Sequence, residues 1–178
     1  GLVVAVPSAA AEAPGLLRVL AGIARAEGRP TIFLEPIALY HSRDTLPGDG
    51  AALAPYPSPD RWADALPDRD EGRLHRLGER PASVLVVTFG NGVGMTRRAL
   101  AAARALDPHT RADLYDLRWL APLPRAHLLA AARGYEGVLV VDETRHGGGV
   151  GERVISALVE GGYRGAIGRV ASTDSFVP

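Results

Sequence analysis

Short apolar segments rich in valine alternate with longer segments of helical periodicity through the second half of the sequence, and this alternation constrains the fold most. The strand-like segments are Val84–Phe89, Ala112–Leu117, Val138–Asp142 and Ala166–Val170, and the helical segments between them are Gly92–Leu106, Pro124–Arg133 and Val150–Glu160. Strands and helices that alternate at this spacing are typical of a mostly parallel sheet with helices on both faces. The sequence therefore predicts an α/β fold.

The beginning of the chain predicts a separate strand–helix–strand unit. Leu2–Val6 and Thr31–Glu35 are strand-like, and a helical segment between them ends at Gly28. Ser8 precedes this helix and is expected to cap it. A right-handed crossover would make the two strands parallel. One such unit cannot cover both faces of its own strands, so we expect it to pack against another part of the protein.

Residues 41–82 differ in character from the segments on either side. They are rich in proline and aspartate and show no sustained periodicity. Tyr56, Trp62 and Leu66 are their main apolar anchors, and the two aromatic residues are expected to pin the segment to the surface. A connection of this length is usually functional or an interdomain linker. We therefore expect a first part at residues 1–40, a linker at 41–82 that crosses the surface, and a second part at 83–178.

Composition excludes several classes of protein. The 178 residues contain no cysteine, which excludes disulfides, thiolate nucleophiles and zinc ribbons. The formal charge is zero, with 20 acidic and 20 basic residues, so a nucleic-acid grip is not expected. No apolar run approaches the ~20 residues of a membrane span, and we expect a cytoplasmic protein. Because the chain opens inside a strand-like run without a methionine, we also expect it to belong to something longer.

Polar residues that could act chemically collect where the predicted strands of the second part end. Ligands of open α/β sheets bind beyond the carboxyl ends of the strands. Four residues at those positions are candidates, Asn91, Arg118, Glu143 and His146. We expect no metal site among them.

The run Gly90-Asn91-Gly92-Val93-Gly94 follows a strand and opens a helix. That setting resembles a nucleotide fingerprint, but the glycine spacing differs from G-x-G-x-x-G. A tight turn between strand and helix explains the glycines equally well and is the favoured interpretation. Asn91 remains a candidate substrate-binding residue.

Arg118 follows the second strand of this sheet. An arginine at the carboxyl end of a strand can bind the carboxylate or phosphate of a substrate with its planar fork. A structural ion pair with Asp116 or Glu143 is an equal alternative, and the sequence does not decide between the two.

The third strand ends in two carboxylates before a glycine-rich turn. Asp142 and Glu143 are adjacent and point to opposite faces of the strand, so they do not form an acid/base pair. Gly147–Gly149 could leave free amides at a helix start for an anion, or could allow tight packing against a neighbouring domain, which we favour. His146 is the one acid/base candidate, although a lone loop histidine is more often solvated.

Several motifs occur together in an order that identifies a family resemblance. They are Val4-Ala5-Val6-Pro7-Ser8, Pro30–Glu35, Val86-Val87-Thr88-Phe89-Gly90, Asp116–Leu123, Val140-Val141-Asp142-Glu143 and Asp174–Pro178. The chain resembles the beta subunits of the thiamine-diphosphate-dependent first component of 2-oxo acid dehydrogenase complexes. In detail it is similar to a fused actinobacterial form, in which alpha-like and beta-like halves share one polypeptide.

This resemblance implies an organisation and an activity. Residues 1–40 would end a pyrimidine-binding domain, and 83–178 would form a transketolase-type C-terminal domain. The complete enzyme would decarboxylate a 2-oxo acid, as pyruvate dehydrogenase does, and pass the acyl group to lipoamide. Thiamine diphosphate with magnesium would be bound mainly by parts upstream of Gly1. The chain alone would be inactive, and its C-terminal domain would supply dimer contacts and the rim of the active-site funnel.

The resemblance also implies partners. These would be the alpha-like and remaining pyrimidine domains, in a homodimer or a heterotetramer-like assembly, and the lipoyl acyltransferase component. Two alternatives stay open. The chain could belong to a transketolase or 1-deoxyxylulose-5-phosphate synthase relative, whose C-terminal domain has similar motifs. It could also be an assembly domain that docks on the acyltransferase core.

Overall fold

The computed structural model, which describes residues 1–62, 66–78 and 81–173, contains eight strands and four α-helices. The strands are β1 (Val3–Ala5), β2 (Thr31–Phe33), β3 (Arg73–His75), β4 (Val84–Thr88), β5 (Ala112–Asp116), β6 (Trp119–Ala121), β7 (Gly137–Arg145) and β8 (Ala166–Ser172). The helices are α1 (Ala13–Glu27), α2 (Asn91–Leu106), α3 (Arg125–Ala132) and α4 (Val150–Glu160). The motif Asp174–Pro178 lies outside the described residues.

A five-stranded sheet in the order β3-β5-β4-β7-β8 forms the larger part of the fold. β4, β5, β7 and β8 pair in parallel, so the predicted mostly parallel α/β sheet is confirmed. The edge strand β3 is antiparallel to β5. It lies within residues 41–82, where no regular structure was expected, and the expectation is wrong for these three residues. Three residues are too few for an alternating pattern to be recognised.

The predicted strand–helix–strand unit forms a second sheet with a strand from elsewhere. β1 and β2 are parallel, as predicted. The third strand is β6, which pairs antiparallel with β1. β6 follows β5 after only two residues, Leu117 and Arg118, so the chain passes directly from one sheet to the other. The first unit is therefore built into the second part of the chain by backbone pairing.

Three apolar clusters follow from this arrangement. The first has α3 and α4 on one face of the five-stranded sheet, where Leu128 and Leu158 pack with Tyr115. The second has α2 on the opposite face, where Val93 packs with Leu114. Neighbouring residues of β5 thus point to opposite faces, as strand geometry requires. None of the helices among the described residues is long and apolar enough to cross a membrane.

The third cluster holds α1 against β1 and β6. Leu16, Leu20 and Ile23 of α1 pack with Val3, Ala5 and Trp119, and Trp119 is 1% exposed. Gly28 ends the helix with a φ of 62°, as predicted. The expectation that Ser8 caps α1 is wrong, because the helix begins at Ala13, with Pro14 in its first turn and no side-chain cap. The Ser8 hydroxyl instead faces two carboxyl groups.

The proline-rich segment is fastened to α1 through one arginine. The Arg18 guanidinium lies 4.0 Å from the centre of the Trp62 ring and 5.5 Å from that of Tyr56. It also donates a hydrogen bond of 2.7 Å to the Tyr56 hydroxyl. The two aromatic residues that the sequence identified as anchors therefore both contact α1, by cation–π attraction rather than by burial.

Candidate functional site

The structure divides the four predicted site residues among three places. Asn91 and Glu143 come together, with 3.5 Å between Nδ2 and Oε2. Arg118 binds residues of the first unit instead. His146 lies in the exposed loop that follows β7. The single polar edge that the sequence predicted is therefore two clusters and a separate loop.

Arg118 makes an ion pair with a carboxylate that the sequence analysis did not consider. Its Nη2 lies 2.5 Å from Oε1 of Glu12, and the two side chains are only 14% and 8% exposed. Arg73 of β3 binds the same Oε1 at 2.8 Å. The alternatives named from sequence, Asp116 or Glu143, are therefore not the ion-pair partner of Arg118.

The backbone of Arg118 is constrained as tightly as its side chain. Its φ of 56° lies in the left-handed region, where a residue with a Cβ is unfavourable by roughly 1–2 kcal/mol. The Arg118 amide donates to Oδ1 of Asp116 at 3.1 Å, and its carbonyl accepts from the Val6 amide at 2.9 Å. These bonds place the guanidinium at the junction of the two sheets.

Two carboxyl groups and a hydroxyl complete this cluster. Ser8 Oγ lies 2.6 Å from Oδ2 of Asp116 and 3.1 Å from Oε2 of Glu12. Burial and the nearby charge of Glu12 raise the pKa of Asp116 to about 7. Burial alone would raise the pKa of Glu12, but the charges of Arg118 and Arg73 and the hydrogen bonds they donate lower it.

Sequence reasoning missed Glu12 and Ser8 as members of this site. Glu12 is 106 positions from Arg118, and Ser8 is 108 positions from Asp116. A carboxylate at a helix start has a sufficient local explanation in the helix dipole, so no pattern marked it. The useful signal was the uncovered first unit, which required a contact with the second part.

The glycine turn beside Asn91 has a structural explanation. Gly90 adopts a φ of 52°, and a Cβ there would lie 3.0 Å from Cγ2 of Val6. A Cβ at Gly92 would collide with the Thr88 hydroxyl. The tight-turn interpretation is therefore supported, and the turn leaves Asn91 facing Glu143 of β7.

The start of α4 is occupied by the chain's own carboxylate. Oδ2 of Asp142 accepts the Gly151 amide at 2.5 Å, and Oδ1 accepts the Thr144 amide at 2.9 Å. A Cβ at Gly149 would lie 2.8 Å from that Oδ2. Gly149 therefore permits close packing against Asp142 within the chain, whereas Gly147 and Gly148 have open space around them. The favoured packing against a neighbouring domain stays a prediction.

His146 has no partner suited to acid/base work. Its amide donates to the Ser172 carbonyl at 3.1 Å, and its carbonyl accepts from Arg169. Across the described residues its imidazole makes no hydrogen bond. The side chain is exposed. These contacts are those expected of a solvated loop histidine.

A cleft of about 560 Å³ opens beside the Arg118 cluster. It lies between the segment before α1, the residues after β2 and the first turns of α2. Its walls are mostly apolar, and its polar lining includes Ser8, Glu35, His41 and Arg98. This volume is in the range of small-molecule sites. The sequence did not indicate the cleft, because its walls come from three separate stretches of chain.

Comparison with known proteins agrees with this fold. Residues 72–178 match the family described as "Transketolase, C-terminal domain". The match includes β3, which the sequence analysis had assigned to the linker. The solved structure of a "Split gene transketolase, inactive beta4 tetramer" is also similar, with a TM-score of 0.67 and 25% identity. The alignment covers 99% of this chain and 50% of that one.

The curated relatives are synthases. A 1-deoxy-D-xylulose-5-phosphate synthase of Bordetella petrii is 31% identical over 134 residues, which is 72% of this chain and 20% of the relative. The synthase of Leifsonia xyli is 30% identical over 167 residues, or 91% and 24%. The chain thus spans about a fifth to a quarter of these relatives. The transketolase-type C-terminal domain expected from the motifs is confirmed, and the chain belongs to the transketolase C-terminal domain family.

Proposed function

We propose that this chain is the C-terminal part of a thiamine-diphosphate-dependent enzyme whose product is a phosphorylated ketose. The relatives are named for such a product, 1-deoxy-D-xylulose 5-phosphate. The relatives that align with 72% and 91% of the chain support this reading. It replaces the 2-oxo acid dehydrogenase activity as our first choice, because these relatives are synthases.

The observation that carries the proposal is the anchored guanidinium of Arg118. A phosphorylated substrate needs a fixed cation, and an arginine fork suits phosphate geometry. Nη2 of Arg118 lies 2.5 Å from Oε1 of Glu12, and Ser8, which contacts the same Glu12 side chain, lines the cleft. We assign Arg118 to the phosphate, and Asn91 and Glu143 to hydroxyl groups of the same substrate. His146 has no part in this assignment.

Carbon counting defines the substrates of such a reaction. A five-carbon ketose that lacks the first hydroxyl and carries phosphate on C5 divides into a two-carbon acyl unit and a three-carbon phosphorylated aldehyde. A 2-oxo acid such as pyruvate provides the acyl unit when it loses carbon dioxide. The proposed reaction thus joins a 2-oxo acid to a phosphorylated aldehyde, and the phosphate enters with the aldehyde.

Two amides that could otherwise bind the diphosphate of thiamine diphosphate are already bonded within the described residues. The Gly151 amide at the start of α4 is bonded to Asp142, and the Gly92 amide of α2 to the Phe89 carbonyl. No group of three or more histidine and acidic side chains in the described ranges could hold a magnesium ion. We propose that the cofactor is held by parts of the enzyme outside this chain, and we expect no turnover by the chain alone.

A 2-oxo acid dehydrogenase is the second candidate. Its support is the segment Asp116–Leu123, which resembles the "DLR-x-L-x-PL" segment of that family. The two candidates share the 2-oxo acid and differ in the acceptor, since the dehydrogenase component passes its acyl group to lipoamide. Its partners would be alpha-like domains and a lipoyl acyltransferase.

Self-association is a further part of the proposal. The similar split-gene transketolase is described as a tetramer of one chain type. The first unit of the present chain exposes Ile32 by 41%, Leu34 by 44% and Ile37 by 77%. Several exposed apolar side chains this close in sequence favour an interaction surface. We propose that this surface contacts a second copy or the remainder of the enzyme.

The acceptor decides between the two functions. The chain would be tagged in its own cells and the assembly that contains it purified. The assembly would then receive pyruvate with either glyceraldehyde 3-phosphate or lipoamide. Formation of 1-deoxy-D-xylulose 5-phosphate, detected by mass spectrometry, is the expected result. Acetyl-lipoamide instead would establish the second candidate, and neither product in an assembly that binds thiamine diphosphate would reject both.

A further inference from the structure

Ser8 stands between two carboxyl groups and has one proton to give. Its Oγ lies 2.6 Å from Oδ2 of Asp116 and 3.1 Å from Oε2 of Glu12. A hydroxyl donates a single hydrogen bond, whereas an ionised carboxylate only accepts. Both contacts can be hydrogen bonds only if one of the two carboxyl groups carries a proton.

The surroundings identify Asp116 as the protonated group. Glu12 faces two cations, Arg118 at 2.5 Å and Arg73 at 2.8 Å, so its charge is compensated. Asp116 is 0% exposed, and its hydrogen-bond partners within the described ranges are the Ser8 hydroxyl and the Arg118 amide. A buried carboxylate without a bound cation is costly, and protonation removes that cost.

The other strands around Asp116 do not change this assignment. Its register partner on β3 is Arg73, which is bonded to Glu12, and its partner on β4 is the neutral Thr88. The nearby charges are therefore the anion of Glu12 and the guanidinium of Arg118. Burial and the Glu12 charge outweigh Arg118 and raise the pKa of Asp116 to about 7.

We propose that Asp116, Ser8 and Glu12 form a hydrogen-bond relay whose proton resides on Asp116, and that loss of this proton is a switch that draws Arg118 from Glu12 towards Asp116. In the protonated state Asp116 donates to Ser8, and Ser8 donates to Oε2 of Glu12. Oε1 of Glu12 then remains free to hold Arg118. This deepens the proposed function, since Arg118 is the residue assigned to the substrate phosphate.

Deprotonation reverses the order of these bonds. The Ser8 hydroxyl turns to the nearer Asp116, and Glu12 loses a donor. The ionised Asp116 then competes with Glu12 for Arg118, whose Nε is buried with no acceptor among the described residues. The proton has a path out, because Ser8 lines the 560 Å³ cleft. The Asp116 proton, at the junction of the two sheets, can thus exchange with solvent in that cleft.

The relay predicts a definite sign for the pH dependence of stability. The pKa of Asp116 is raised in the folded chain above its ordinary value of 3.8. The stabilisation is therefore fully present below pH ~4 and is lost as the pH rises towards about 7. Across that window, we expect the unfolding constant of the wild type to rise up to about tenfold per pH unit relative to Asp116→Asn, which has no proton to lose.

Carboxyl-carbon NMR of the aspartate-labelled chain provides the direct test. Asp116→Asn identifies the resonance, and a titration midpoint near 7 is expected. A midpoint near 4 would overturn the relay. The wild-type titration decides the question even if the variant fails to fold. Asp113→Asn is the matched control, because it changes a buried carboxyl on the same strand outside the relay. It should leave the Asp116 resonance and its midpoint in place.

Two further readouts separate the relay from the proposed function. The Arg118 Nε–H resonance should shift between pH 6 and pH 8.5 in the wild type, as Nε gains the ionised Asp116 as an acceptor, and should stay in place in Asp116→Asn. An unchanged resonance position across that range would contradict the switch. In the complete enzyme, the KM for the phosphorylated substrate should rise over the same range. A midpoint near 7 with a constant KM would uphold the relay and reject the phosphate role of Arg118.

Discussion

Arg118 and Arg73 bind the same oxygen of Glu12 from different environments, and this provides a test at the scale of single residues. Arg118 is 14% exposed and Arg73 is 52% exposed. Removing a partner from a buried pair costs about 3–5 kcal/mol, and the lower end applies to Arg118 because Glu12 keeps the exposed Arg73 as a partner. An exposed pair contributes only about 0–1 kcal/mol. We expect Arg118→Ala to lower the unfolding free energy by about 3 kcal/mol and Arg73→Ala by less than about 1 kcal/mol.

Urea unfolding at neutral pH measures both values, and equal losses would contradict the difference in burial. In the complete enzyme, Arg118→Ala should also raise the KM for the phosphorylated substrate about tenfold to a hundredfold, as expected for a lost charge-assisted bond. Arg118→Lys should recover part of this, because an ammonium lacks the planar fork. Arg73→Ala should leave KM unchanged. A KM unaffected by Arg118→Ala would show that Arg118 does not bind the substrate and has only a structural role in the ion pair with Glu12.

For single residues, the sequence predicted where a side chain lies in the fold better than it predicted which residue that side chain contacts. The end of an apolar strand placed Arg118 at the carboxyl edge of a parallel sheet, and the structure confirms that place. Its partner Glu12 is distant in sequence, so only the packing of the first unit brings the two together. The same holds for the Ser8 contact with Asp116. Local patterns report helix and strand geometry, whereas ion pairs depend on the tertiary fold.

The start of α4 offers a test at the scale of elements. A Cβ at Gly149 would collide with Oγ1 of Thr144 and lie 2.8 Å from Oδ2 of Asp142, so these side chains or the turn must move. We expect Gly149→Ala to lower the unfolding free energy by about 1–3 kcal/mol, the usual cost of overpacking. Gly22→Ala is the control, since Gly22 lies in α1 with open space around it. It should stabilise the chain by about 0.5–1 kcal/mol.

Thermal melts should therefore show a lower midpoint temperature for Gly149→Ala and a higher one for Gly22→Ala than for the wild type. A stabilising Gly149→Ala would mean that Asp142 does not occupy the helix start. The comparison is informative because both substitutions add one methyl group and neither residue has a left-handed φ. The two sites differ in their neighbouring atoms and in backbone setting, since Gly149 is the extended residue before α4 and Gly22 lies inside α1.

The proline-rich segment can be tested through its fastening to α1. Arg18 contacts both Tyr56 and Trp62, and such exposed cation–π contacts contribute about 0.5–1 kcal/mol. Arg18→Ala should therefore increase the rate of chymotrypsin cleavage after Trp62 by about two- to fivefold, whereas the bond after Tyr56 is resistant because Pro57 follows it. Arg25→Ala removes an exposed arginine of the same helix and should not change the rate. Equal rates for both variants would show that Arg18 does not hold the segment.

Elements were predicted where the sequence contains a sustained apolar or periodic run. All four helices and the four longer strands of the parallel sheet were recognised in this way, and so were the three-residue strands β1 and β2, because they lie inside the longer runs Leu2–Val6 and Thr31–Glu35. The strands β3 and β6 have three residues each and lie in no such strand-like run of their own. The start of α1 was misplaced because Ser8 and Pro14 are both plausible start signals. The chain uses the later one, since Ser8 is engaged by Asp116.

At the scale of the whole molecule, the exposed apolar residues of the first unit predict association. We expect sedimentation velocity to show self-association of the chain at micromolar concentration. Ile37→Glu should raise the dissociation constant at least about tenfold, a loss of ~1.4 kcal/mol, because Ile37 is 77% exposed on that surface. Leu106→Glu changes a residue that is 89% exposed at the end of α2 and should have no effect. A monomer at all concentrations would contradict the prediction.

The pairing of β6 with β1 has a consequence for how the molecule could be divided. Trp119 and its neighbours on β6 take their backbone partner and much of their apolar contact from residues before Gly28. A cut in the exposed stretch near Tyr56 would leave both pieces interlocked through this strand pair and the Glu12–Arg118 contact. The two pieces would then behave as a complementing pair, in which each supplies the surface on which the other folds. The molecule is therefore a natural starting point for a split reporter whose signal depends on reassembly.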